Sequence, residues 1–103
     1  MPMLMSLIVA VSSFELHLPS CRSLKDKRRV VKSLIDRLHQ RYRLSIAETD
    51  FHDLHQRAEI SLAAVARDEA ALEKLLDDVH TIVDTLPEAF LTRWEPQLLE
   101  AES

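Results

Sequence analysis

Neither glycine nor asparagine occurs anywhere in the chain. These residues supply most left-handed backbone positions, because glycine has no Cβ to clash and asparagine bonds its own backbone locally. Glycine-rich phosphate loops, dinucleotide fingerprints and nucleophile elbows are therefore excluded as motifs. Tight two-residue primed hairpins are disfavoured for the same reason. Any position with φ > 0 is expected at Ser20, Asp50, His52 or Asp53, whose short polar or imidazole side chains tolerate it best.

The 103 residues suit one domain, expected to span residues 1–96 with a short acidic tail at 97–103. A chain of that size buries roughly 65% of its unfolded surface. Its 47% apolar and 29% charged residues are those of a globular protein. No apolar run approaches the ~20 residues that cross a bilayer. Met1 to Val11 is apolar but lacks a basic leader region and a small-residue cleavage site, so it reads as a first strand. No membrane partner is expected, and the cytoplasm is the default location. Cys21 is the single cysteine, which excludes an intrachain disulfide and a cysteine-based zinc site and leaves a loop thiol.

In chain order, Leu4 to Leu18 reads as a long strand ended by Pro19, with Phe14, Leu16 and Leu18 on one face and Ser13, Glu15 and His17 on the other. Ser23 followed by Asp26 is a capping-box signal for a helix over Ser23 to Arg43. Leu24, Val31, Leu34, Ile35, Leu38 and Tyr42 form its apolar stripe, and Lys27 is expected to snorkel along it. Leu44 to Glu48 and Arg57 to Ala66 read as a hairpin with Thr49 to Gln56 as the link. Asp68 caps a second helix with Leu72, Leu75, Leu76, Val79, Ile82, Val83 and Leu86 inward; Pro87 stops it, and Ala89 to Glu95 is the last strand.

The order strand, helix, strand, strand, helix, strand is the ferredoxin-like split βαβ arrangement, an α+β fold with a four-stranded antiparallel sheet and two helices on one face. The run Ser23-Leu24-Lys25-Asp26-Lys27-Arg28-Arg29-Val30-Val31-Lys32-Ser33-Leu34 resembles the helix motif of the YlxP-like bacterial proteins, a family of unknown function. Ala47-Glu48 and Asp53-Leu54-His55-Gln56-Arg57-Ala58 continue the resemblance, which runs from about Leu7 to Glu95. It implies the same fold. Members lie among bacterial genes of transcription and translation, which is association rather than mechanism. The chain departs from the family pattern at Ser20, commonly glycine, and at His55, commonly aromatic.

Charge is segregated: Arg22 to Arg43 holds nine basic and two acidic residues, whereas Leu44 to Ser103 holds four basic and fourteen acidic. Lys25, Arg28, Arg29, Lys32 and Arg43 cluster on one stripe, suited to the phosphate backbone of structured RNA or a ribosome; Arg37 and Arg41 fall on the far flank, where Arg41 either bridges to Asp36 or stays solvated. The uncovered sheet face would show Ser13, Glu15, His17, Glu59, Ser61, Ala63 and Val65, with no aromatic platform for stacked bases. Glu48, Asp53, Gln56 and Arg57 read as structural groups of the second hairpin, with Arg57 forked onto Glu48 or Asp53. His52 and His55 with neighbouring carboxylates form a minor metal-binding or hydrolytic alternative. His17, His39 and His80 read as surface residues. No catalytic residue, resident metal or cofactor is expected. Leu7, Val9, Val11, Ala63 and Val65 offer an apolar end of the sheet face for a homodimer or another protein contact.

Overall fold

The computed structural model describes residues 6–102. Six elements follow one another: β1 (Ser6–His17), α1 (Leu24–Arg41), β2 (Ser45–Asp50), β3 (Arg57–Ala66), α2 (Glu69–Asp84) and β4 (Phe90–Glu102). The strands form one antiparallel sheet in the order β2-β3-β1-β4. This is the ferredoxin-like α+β arrangement, reached because each half of the chain repeats strand, crossover helix, strand.

Alternation in the central strands selects the covered face. Ala10, Phe14 and Leu16 of β1 and Ala58, Ile60, Leu62 and Ala64 of β3 are buried against Val30, Val31, Leu34 and Leu38 of α1 and Leu72, Leu76, Val79, Ile82 and Val83 of α2. Both helices thus spend their apolar stripes on the same sheet face. Leu24, Ile35 and Tyr42 are half-buried at the margin, while Val30, absent from the expected stripe, lies fully within it.

Three expectations need correction. The last strand does not stop before Pro96: β4 continues to Glu102 and pairs Leu98 with Ala10 and Leu99 with Val9. Proline is tolerated because β4 is an edge strand, where a missing N–H need not cost a ladder bond. Leu98 then packs against the core, so the expected acidic tail is strand as far as Glu102. Ser103, and the part of the expected first strand before Ser6, lie outside the described residues.

β2 is longer than expected and shifted, running to Asp50, which shortens the hairpin link to residues 51–56. The left-handed position within that link falls on none of the expected residues. It is Phe51, at φ 63°. A bulky side chain there is unfavourable by about 1–2 kcal/mol, so neighbouring contacts must hold it.

Candidate nucleic-acid interface

Helix α1 starts where its capping signal lies. Ser23 Oγ accepts the Asp26 N–H at 3.1 Å, and Asp26 Oδ2 accepts the Arg22 N–H at 2.9 Å, one residue before the usual capping-box donor. That N–H, with help from Arg29, holds the Asp26 carboxyl below the usual carboxylate range. The helix closes at Tyr42, whose backbone is extended, so Arg43 stands beyond its end.

Lys27 does not snorkel. Its side chain is 1% exposed, and Nζ donates to Phe51 O at 2.8 Å and to Arg57 O at 3.2 Å. Its third neighbour is Glu48 Oε2 at 2.8 Å, a direct ion contact without good hydrogen-bond alignment, and that oxygen finds no other donor among the described residues. An ammonium has three donors, and three acceptors surround this one. Such a site is stable only while all its members are present, because an uncompensated buried charge is costly.

The lysine helps hold the strained turn: the Phe51 carbonyl accepts from Lys27 Nζ and, within the turn, from the Leu54 N–H at 3.0 Å. Asp50 Oδ1 accepts the Phe51 N–H at 2.7 Å, and the Arg57 guanidinium lies 3.8 Å over the Phe51 ring. Arg57 does not fork onto Glu48 or Asp53, as the sequence suggested. Its Nε donates to Glu15 across the sheet, because Glu48 points inward to Lys27 while Asp53 is exposed. Gln56 Nε2 donates to the Pro19 and Cys21 carbonyls at 3.2 Å each, tying the link to the loop before α1. Phe51 and the Lys27–Glu48 pair are what the sequence reading missed. Its available signal was phase: Lys27 sits three residues before Val30, and Glu48 continues the inward face of Leu44 and Ile46.

On the outer side of α1, Lys25, Arg28, Arg29 and Lys32 are exposed. Lys32 pairs with Asp36 at 2.7 Å, an exposed i,i+4 contact worth only about 0.3–0.5 kcal/mol, which a phosphate can replace. Arg29, Lys32, Asp36 and Arg37 line one surface depression of about 430 Å³ together with Ser33 and Gln40. Arg37, which helical phase puts on the far flank, thus shares a depression with Arg29 and Lys32. Arg43 lies beyond the helix end, at the notch where β2 begins, beside Ser45, Ala63 and Val65. Of its two expected states Arg41 takes the solvated one: it is exposed, 5.9 Å from the Tyr42 ring centre, with no bridge to Asp36 among the described residues.

The opposite, uncovered sheet face is a connected polar belt. Thr49 donates to Glu59 at 2.6 Å and lies 2.8 Å from Ser61, which is 3.2 Å from Ser13. Arg93 binds Glu59 and Glu95, each at 2.9 Å. A register shift opposite Glu15 and Leu16 turns Trp94 inward onto Phe14 and leaves Phe90 opposite His17. The face therefore carries one exposed aromatic, Phe90 at 63%, which the sequence reading did not place there. The belt's carboxylates Glu15, Glu59 and Glu95 are paired with Arg57 and Arg93, so this face presents no free basic stripe to a phosphate backbone.

The histidines of the second hairpin do not assemble a metal site: among the described residues no group of three ligating side chains comes together. His52 Nε2 instead donates to the Glu48 carbonyl at 3.1 Å, and His17 Nδ1 to the Gln56 carbonyl at 3.2 Å. His80 is half-buried rather than superficial, edge-on to Trp94. Cys21 is buried, and that burial, with the charges of Asp26 and Glu88, pushes its thiol up, away from the reactive thiolate. Among the described residues no helix is long and apolar enough to cross a membrane.

Comparison with known proteins agrees with this architecture. The crystal structure of protein SO0527 from Shewanella oneidensis superposes with a TM-score of 0.54 at 18% identity, covering 95% of this chain and 93% of that one, which is a likeness of fold. The uncharacterized protein YlxP of Bacillus subtilis is 36% identical over 66 residues, 64% of this chain and 72% of that protein. The sequence pattern of the family described as "Protein of unknown function (DUF503)" matches residues 9–95. The chain belongs to that family, the YlxP-like proteins.

Proposed function

We propose that the protein is a non-catalytic accessory factor that binds structured RNA, free or within a ribosome, through the outer side of α1. The observation that carries this reading is the exposure of Lys25, Arg28, Arg29, Lys32 and Arg37 along one helix whose apolar side is wholly used by the sheet. Arginine and lysine in a row neutralise phosphates and release counterions without base contacts. On the uncovered face Arg57 and Arg93 are engaged with carboxylates, and the outer side of α2 is acidic, so free basic groups concentrate on α1. Recognition is then of backbone and duplex shape rather than of single-stranded bases.

Titration of the protein into fluorescently labelled duplex RNA tests this. Four engaged phosphates give a log–log salt slope of roughly −3 to −4. Binding that ignores salt, or that survives Lys25→Glu, Arg28→Glu, Arg29→Glu and Lys32→Glu together, defeats the proposal.

A second reading, homodimerisation through the apolar end of the sheet face, is supported by Leu7, Val65 and Leu99, which are 39%, 65% and 45% exposed. Val9 faces both Val65 and Leu99 across the ladders, so the patch spans three strands. The adjoining polar belt is already paired within the chain, which suits a two-fold contact of patch on patch. Sedimentation as a monomer at tens of micromolar removes this reading.

A further inference from the structure

A cleft between α2 and β4 lies apart from the α1 surface and has no part in the RNA contact. It encloses about 290 Å³, with Leu76, Trp94, Pro96 and Leu98 as apolar walls and Glu73 and Asp77 at the rim. Trp94 is held in place from two sides, by Phe14 at 5.6 Å and by His80 edge-on at 5.0 Å between ring centres. Glu73 and Asp77 are exposed, and four residues apart they share one side of the helix, where like charges repel. Neither has an ion-pair partner among the described residues. The lysine of α2, Lys74, is engaged with Asp78 at 3.1 Å. A cation entering the cleft would relieve a repulsion already present.

An indole wall below two carboxylates is complementary to a planar cation on an apolar stem, which is an arginine side chain: it stacks on aromatic rings and forks onto carboxylates. Phosphate is repelled from the same rim. The neighbouring edge of β4 is interrupted by Pro96, which lacks an N–H, so entry of a side chain fits the site better than addition of a whole strand. We propose that this cleft docks a basic segment of a protein partner, one arginine of which lies against Trp94 between Glu73 and Asp77.

Trp94 is the single tryptophan of the chain, so its fluorescence reports on the cleft directly. The probe is an end-capped synthetic peptide with two arginines spaced by alanines. A saturable change in Trp94 emission is expected. It should weaken about tenfold in the double variant Glu73→Gln, Asp77→Asn, because two rim charges are lost. It should be unchanged in the double variant Arg28→Glu, Arg29→Glu. Absence of a saturable change, equal binding by the rim variant, or equal binding of spermidine or of the peptide with glutamates in place of arginines would each overturn the proposal.

Discussion

The two helices lie on the same sheet face and begin with equivalent caps, yet they are held down differently. Helix α2 is anchored by Leu72, Leu76, Val79, Ile82 and Val83, and its outer side is acidic. Helix α1 has a comparable aliphatic stripe, interrupted by one buried cation that reaches the neighbouring hairpin. The difference separates two ways of fixing a helix. Aliphatic packing is forgiving of chemistry and fixes area, whereas the Lys27 contacts fix direction, because three specific acceptors must be met at once. They also couple the basic helix to the turn at Phe51, adding to the Asp50, Leu54 and Arg57 contacts that hold it left-handed.

Removing the anchor on each helix tests this contrast most sharply. Lys27→Ala should destabilise by about 3–5 kcal/mol, since it leaves Glu48 buried without a counter-ion. Leu72→Ala in α2 should cost about 3 kcal/mol through the cavity it leaves. Denaturant unfolding measures both. The double variant Lys27→Met, Glu48→Leu should recover most of the loss, because an apolar pair of similar volume carries no desolvation cost. If it instead remains as unstable as Lys27→Ala, the contacts to the Phe51 and Arg57 carbonyls, rather than the ion pair, are what α1 depends on.

The caps should show the helices alike. Ser23→Ala and Asp68→Ala remove equivalent acceptors, bonded to the N–H groups of Asp26 and Ala70 at 3.1 and 3.0 Å, and each should cost about 1 kcal/mol in thermal unfolding. A much larger loss at Ser23 would mean that the start of α1 carries the link to Gln56 as well.

The smallest expected effect concerns pH. Asp26 has its folded-state value depressed by the Arg22 N–H, so its contribution is present above the ordinary carboxylate range and is lost as acid protonates it through the depressed value. Wild type should therefore lose more stability than Asp26→Asn on acidification below that range, and the two curves should run parallel at neutral pH. Parallel curves throughout would show that this carboxylate is not linked to folding.

Much of the fold was legible because it rests on periodicity. The boundaries of β3 coincide with those expected, since Arg57 to Ala66 alternates cleanly and is bounded by polar links. The end of β4 was not legible: proline usually stops a strand, and only its place at the edge of the sheet makes it harmless. The basic stripe was legible as composition and helical phase. Only the structure shows that Arg43 stands beyond the helix end and that Arg37 shares a surface depression with Arg29 and Lys32.

Lys27 marks the limit most clearly. Both members of the pair carried a signal, a charge at an inward phase of helix and strand, but a lysine at the margin of a stripe has a long stem and ordinarily reaches water. Nothing in one dimension tells which carboxylate lies beside it.

What the sequence determined by itself was the element order, the inward faces, the start of each helix and the exclusion of glycine-dependent phosphate loops, because these follow from local periodicity and from residues that are simply absent. What only the tertiary structure decided was the left-handed Phe51, the partner of each carboxylate and the company of each arginine. Those depend on which strands become neighbours, and long-range pairing in space is not encoded by any local period.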